Sequence, residues 1–114
     1  MTIVGSNLYV TDFGNHTIRK IVLSTGAVTT VAGSGSGGSA NGTGTSASFN
    51  LPGYITSDGT NLYVADTSNH MIRKIVISTG VVTTIAGSTS SGSTNATGTS
   101  ATVSYTHLTL PTKA

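Results

Sequence analysis

Residues 7–34 read NLYVTDFGNHTIRKIVLSTGAVTTVAGS, and residues 61–88 read NLYVADTSNHMIRKIVISTGVVTTIAGS. The copies are offset by 54 residues, and 31 of the 44 positions aligned between Gly5–Ser48 and Gly59–Thr102 are identical. A repeat of about this length marks an architecture whose units cannot bury their apolar faces alone and lean on one another. The second copy is the more complete and serves as the template. Phe49-Asn50-Leu51-Pro52-Gly53 leads into a short strand predicted over Tyr54–Ser57, closed by an Asp58-Gly59-Thr60 turn whose Asp-Gly pair tolerates positive φ. A second strand is predicted over Asn61–Asp66 and a connection at Thr67-Ser68-Asn69. A third strand is expected from His70 to Ser78, a turn at Thr79-Gly80, and a fourth strand from Val81 to Ala86. Four short strands with Gly, Asp or Asn at every break describe an antiparallel meander.

The alternation inside those strands decides how the meander is used. In the third strand Met71, Arg73, Ile75 and Ile77 share one side, and Ile72, Lys74 and Val76 share the other. Neither side is polar, whereas a sheet with one wet face alternates cleanly. Both faces are therefore expected to be covered. A four-stranded antiparallel unit covered on both sides by copies of itself is a β-propeller blade. A β-solenoid coil is shorter and has fewer hairpins, and a plain β-sandwich leaves the near-identity of the copies unexplained.

The segments LYVTDFGNHTIRKI and LYVADTSNHMIRKI resemble the NHL repeat, named for its Asn-His-Leu signature, with Ile18 and Ile72 near the aliphatic position. The resemblance covers residues 5–102. The STGxVTTxAGS segment and the Gly/Ser/Thr-rich insertion after it are similar to the long NHL variants of bacterial exported proteins. The resemblance implies an all-β chain, about two blades of a β-propeller ring like those of six-bladed relatives. It does not imply one activity, because the class hosts receptors, RNA-binding ligase subunits, a lyase and sensors.

The organisation expected is a partial first blade at 1–33, an inter-blade crossover at 34–49, a second blade at 50–88 and the start of a further crossover at 89–102. Met1 aligns with Ile55 in mid-strand, so it is not expected to be a native start, and the chain reads as a fragment. After Ala101-Thr102 the expected Phe is replaced by VSYTHLTLPTKA. Val103–Thr112 resemble a translated adapter from transposase-based sequencing libraries, and residues 103–114 are set aside as non-native.

Composition excludes several functions. Charged residues make up 7 % of the chain, against about 25 % in typical soluble domains. Five basic and three acidic side chains form no basic stripe, so nucleic acid is not an expected partner. No cysteine is present to form a disulfide or thiolate metal site, and no apolar run reaches the ~18 residues of a membrane span. Ser, Thr and Gly supply 53 of the 114 residues, which with the low charge points to an exported or cell-surface protein.

In an up-down-up-down blade, the loop between the second and third strands and the blade-to-blade crossover emerge at one end. Asp12, Asn15 and His16, with their repeats Asp66, Asn69 and His70, should therefore share a rim with Ser34–Asn50. Loops on a rigid scaffold are where binding usually resides, so these six residues are the candidate binding positions, for a protein or carbohydrate ligand. The commoner role of Asp and Asn at hairpin ends is to accept backbone N–H groups in Asx-turns. Zinc takes three or four ligands held close together. Two histidines one blade apart fall short of that set, so no metal or cofactor is expected, and His16 and His70 are expected to cap turns or pack. No nucleophile–base pair, carboxylate dyad or phosphate-binding loop points to an enzyme. The stems of Arg19, Lys20, Arg73 and Lys74 are expected to cover apolar surface with their heads at the outer edge, or to pair with Asp12 or Asp66. Within the insertion, Asn41–Ala47 recurs as Asn95–Ala101 and is expected to be ordered, with Phe49 a wedge between blades. Asn15-His16-Thr17, Asn41-Gly42-Thr43 and Asn95-Ala96-Thr97 match glycosylation sequons, read as coincidence in a Thr-rich chain of bacterial type. The reading is a non-catalytic binding or scaffold module. A propeller lyase with an axial metal, or an RNA-binding domain, is the alternative.

Overall fold

The computed structural model describes residues 1–89 together with Ala96 and Gly98. The tail expected to be non-native and the sequon at Asn95 lie outside the described residues. The described residues form nine strands: β1 (Thr2–Val4), β2 (Asn7–Asp12), β3 (Thr17–Val22), β4 (Val28–Ala32), β5 (Gly42–Thr43), β6 (Pro52–Ser57), β7 (Asn61–Asp66), β8 (Met71–Val76) and β9 (Val81–Gly87). They make two antiparallel sheets, ordered β1-β2-β3-β4 and β5-β9-β8-β7-β6. These are the expected meanders, two β-propeller blades stacked flank to flank. Near-identity of sequence becomes identity of register. Asn7 pairs with Val22 and Asp12 with Thr17, as Asn61 pairs with Val76 and Asp66 with Met71. Even the register shift recurs, between Ile18 and Arg19 in one blade and Ile72 and Arg73 in the other.

The strands differ from the sequence-based bounds where local chemistry intervenes. The third strand of the second blade begins at Met71 rather than His70. His70 sits in the left-handed region at φ 55° and caps a 3-10 turn over Thr67–Asn69, its N–H donating to the Thr67 carbonyl at 3.2 Å. That strand ends at Val76, whose carbonyl accepts from both Thr79 N–H and Gly80 N–H, at 3.2 and 2.7 Å. The Asp58-Gly59-Thr60 turn forms as expected, with Gly59 at φ 95° and the Asp58 carboxylate accepting from the Thr60 and Asn61 N–H groups.

The crossover carries structure that its composition hides. Gly42 and Thr43 pair with Val82 and Val81, adding a fifth strand to the outer edge of the second blade, and a 3-10 turn follows over Gly44–Ser46. Ordering of Asn41–Ala47 is thus found where the recurring register predicted it.

The core lies between the sheets. Tyr9, Ile18 and Ala32 come from the first blade, Ile55, Leu62, Val64, Ile75 and Val82 from the second, and Ala47 and Phe49 from the crossover. Phe49 is fully buried, the wedge its position predicted. Gly33, at φ 105°, is required there. A Cβ on it would lie 2.5 Å from the His16 carbonyl oxygen and 3.3 Å from the Phe49 ring. Thr11 Oγ1 donates to the Gly53 carbonyl at 3.1 Å, a polar stitch between β2 and β6.

Removing the wedge leaves a cavity that two stiff sheets cannot collapse. Phe49→Ala is expected to lower unfolding free energy by about 3–5 kcal/mol, read from urea denaturation.

Candidate functional site

The second-to-third strand turns and the crossover meet, as the blade topology requires. Asp66, at the end of β7, and Arg73, in β8, face each other across a hairpin whose register sets Val64 opposite Arg73. Alternation places positions 64, 66 and 73 on one face. The Arg73 guanidinium donates to Asp66 Oδ2 at 2.8 Å, and both side chains are 0 % exposed. It also donates to the carbonyls of Ser48 at 3.0 Å and Ala40 at 2.9 Å, and to Asn41 Oδ1 at 2.9 Å, with its head 5.0 Å above the Phe49 ring. Asp66 Oδ1 accepts the Asn50 N–H at 2.8 Å. Asn69 Nδ2 donates to Asp66 Oδ2 at 2.7 Å and to the Gly38 carbonyl at 2.6 Å. Three side chains thus hold the crossover from Gly38 to Asn50 against the blade.

This corrects two expectations. The Arg73 head does not reach the outer edge; it is buried with its carboxylate partner, the alternative of a pair with Asp66. Nor does Asp66 cap its own turn in the Asx manner, because its oxygens serve the incoming crossover, Asn69 and the Arg73 head. Burial pushes the Asp66 carboxyl above its ordinary value, against the hydrogen bonds from Asn69 and Asn50 N–H and the charge of Arg73. The Asx role belongs to Asp58, whose carboxyl is held low by the Asn61 and Thr60 N–H groups, with the Tyr63 hydroxyl assisting.

The first blade repeats the constellation in the open. Asn15 Nδ2 donates to Asp12 at 3.1 and 3.2 Å, and Arg19 donates to Asp12 Oδ2 at 3.2 Å. The side chains of Arg19 and Asp12 are 32 % and 28 % exposed. No crossover covers them among the described residues. His16, left-handed at φ 57°, accepts the Leu51 N–H at Nδ1 over 3.0 Å, which fixes its proton on Nε2. Leu51 is itself left-handed at φ 53°, a strained state before Pro52 that this bond from the neighbouring blade helps to hold. His70 has the same conformation, yet its buried Nδ1 has no partner among the described residues.

Of the six candidate residues, then, Asp66 and Asn69 are buried and joined to the crossover, and Asn15 is exposed on the turn that Asp12 and His16 flank. Sequence reading missed the clamping role of Arg73, although strand alternation and the hairpin register carried the signal. Among the described residues no three His, Asp or Glu side chains converge, and no helix is long and apolar enough to cross a membrane. Arg73 is shut away from any phosphate in solution, and Arg19 is already paired.

No protein-family model matches the chain. It is 37 % identical over 83 residues to NHL repeat-containing protein 2 of Gallus gallus, covering 73 % of this chain and 11 % of that protein. With NHL repeat-containing protein 2 of Homo sapiens the identity is 38 % over 81 residues, with 68 % and 11 % covered. The chain therefore spans about a tenth of the length of these curated relatives. Among solved structures, a protein of unknown function from Bacteroides thetaiotaomicron superposes with TM-score 0.77 at 27 % identity, over 88 % of this chain and 26 % of that one. An auxiliary nutrient binding protein from the same organism superposes with TM-score 0.63 at 26 % identity, over 77 % and 25 %.

The two ion pairs differ in burial and in the crossover bonds that only Arg73 makes, so Arg19 serves as the exposed, unclamped control. Arg73→Met is expected to cost about 3–5 kcal/mol, since it strands a buried carboxylate. Arg19→Met is expected to cost roughly 0–1 kcal/mol by chemical denaturation. The pH response should separate the carboxylates too. Asp58, with its folded pKa lowered, contributes stability above its ordinary value of 3.8 that is lost as acid protonates it. Asp66, with its folded pKa raised, contributes nothing to that acid-side loss. In thermal melts from about pH 6 to pH 2.5, Asp58→Asn should flatten the acid-side fall of the midpoint.

Proposed function

The chain belongs to the NHL-repeat family, and we propose that it serves as a non-catalytic recognition surface, with a neutral carbohydrate as the ligand class. The observation that carries this reading is the clamp. Asp66, Asn69 and Arg73 hold the crossover still from Gly38 to Asn50, so a Gly- and Ser-rich loop becomes a rigid platform. Its outward residues are uncharged and hydrogen-bonding: Ser39, Thr43, Thr45 and Ser46 are all exposed. Asn15 stands exposed on the first-blade turn, its carboxamide oriented by Asp12. Preorganised hydroxyls and amides suit a polyhydroxylated, uncharged ligand, because little entropy is lost on binding and no ion is desolvated. Similarity to an auxiliary nutrient binding protein supports a binding role, and the low charge with abundant Ser, Thr and Gly supports an exported or cell-surface parent.

Binding is expected in calorimetric titration of the chain with neutral mannan, xylan and β-glucan oligosaccharides. Asn15→Ala should weaken it about fivefold, the equivalent of one hydrogen bond of about 1 kcal/mol, with no reducing sugar released. Absence of binding to all three sets would remove the carbohydrate reading and leave the scaffold role. Release of reducing sugar would overturn the non-catalytic one.

A further inference from the structure

The crossover carries the one Asn-Gly step in the chain, Asn41-Gly42. At such a step no side chain on the following residue hinders attack of its backbone nitrogen on the carboxamide, which makes Asn thermolabile there. Packing favours Gly at 42. A Cβ there would lie 3.0 Å from the Ser46 carbonyl carbon and 3.1 Å from its oxygen, in the 3-10 turn that follows β5. The architecture thus puts a reactive pair inside the clamp, on a residue that water reaches, since Asn41 is exposed.

Both reacting groups are held. Asn41 Oδ1 accepts from the Arg73 guanidinium at 2.9 Å and from the Thr84 hydroxyl at 3.1 Å, which ties the carboxamide to β8 and β9. Gly44 N–H donates to the Gly80 carbonyl at 2.9 Å, and bonded and non-bonded pairs alternate along an antiparallel ladder. Gly42 and Val82, two places on, are therefore again a bonded pair, and the Gly42 N–H is spent on β9. The bonds that restrain nucleophile and electrophile are those that hold the crossover. The Asp58-Gly59 turn is closed by other means: Gly59 N–H donates to Ser57 Oγ at 2.9 Å, and an ionised carboxylate has no leaving group.

We propose that Asn41-Gly42 is a self-modification site gated by the clamp, closed while Arg73 and Thr84 hold the carboxamide and open when they release it. In the open state the Gly42 nitrogen bonds to Asn41 Cγ, the Cγ–Nδ2 bond breaks, and ammonia leaves with the proton from Gly42. Water then adds to either carbonyl of the resulting succinimide and opens it to aspartate or isoaspartate. The net change is one water gained and one ammonia lost, with no change of oxidation state. A two-residue edge strand opens locally without unfolding the sheets, and a slow chemical step samples the population of that open form. The product is a carboxylate beside the Arg73 head or, in isoaspartate, a backbone longer by one methylene that cannot keep the β5 register. Conversion therefore fixes an opening of the crossover in covalent form.

Mass spectrometry of crossover fragments, taken while the full chain is incubated in neutral buffer, resolves amide from acid at Asn41. The native chain should convert far more slowly than the same chain in urea, and Gly42→Ala should suppress conversion in both. Thr84→Val loses one bond to Asn41 Oδ1 and should speed native conversion about fivefold. Arg73→Lys gives up the guanidinium fork and should speed it about tenfold or more. Ile55→Val, a core change that touches none of the clamp's hydrogen bonds, should leave the rate unchanged. Equal rates in native and urea-unfolded chains overturn the proposal, because the clamp would then guard nothing. So does an Ile55→Val rate that matches Thr84→Val, which makes global unfolding the gate, or a Thr84→Val chain that keeps its far-ultraviolet circular dichroism and converts no faster than wild type.

Discussion

The buried pair of Asp66 and Arg73 is the constraint on which the crossover depends. Neither charge reaches water, so each must be neutralised and hydrogen-bonded inside the protein. Asp66 achieves this with Arg73, Asn69 and the Asn50 N–H; Arg73 does so with Asp66, two crossover carbonyls and Asn41. The geometry that satisfies the pair is the same geometry that fixes the loop. A segment built of Ser and Gly has little apolar surface of its own to order it. Its path is dictated instead by the carbonyls that the guanidinium requires.

Apolar packing alone would leave the angle between blades loosely set, since sheet faces slide over one another more easily than they separate. Polar stitches remove that freedom. Thr11 reaches the Gly53 carbonyl, His16 takes the Leu51 N–H, and Gly33 lets the chain pass against the His16 carbonyl with no room for a side chain. Phe49 then fills the space that these bonds define, under the flat face of Arg73.

Much of the fold is legible in the sequence because the repeat is nearly exact and strand alternation obeys a period of two. Ile72, Lys74 and Val76 opposite Met71, Arg73 and Ile75 announce apolar residues on both faces, of which the Arg73 and Ile75 side is the one buried among the described residues, and the position of Phe49 announces the wedge. What is not legible arises from pairings over long separations. Arg73 reads as a surface residue until the crossover, 25 and 33 residues earlier in the chain, folds back over it. The β5 strand is hidden because Gly42 and Thr43 make too short a stretch to carry an alternation, and they pair only because Val81 and Val82 offer an edge. Hydropathy places His70 in a strand because a left-handed backbone leaves no mark on it. At the candidate site, alternation indicates the rim and its residues. It does not show that Asp66 and Asn69 are spent on architecture while Asn15 meets solvent.

The direction of the clamp along the chain carries one more implication. Gly38, Ala40, Asn41, Ser48 and Asn50 all precede the Asp66, Asn69 and Arg73 that hold them. During synthesis, the moment β8 leaves the ribosome, every group that Arg73 needs has already been made. A blade can then secure the linker behind it without waiting for the one ahead.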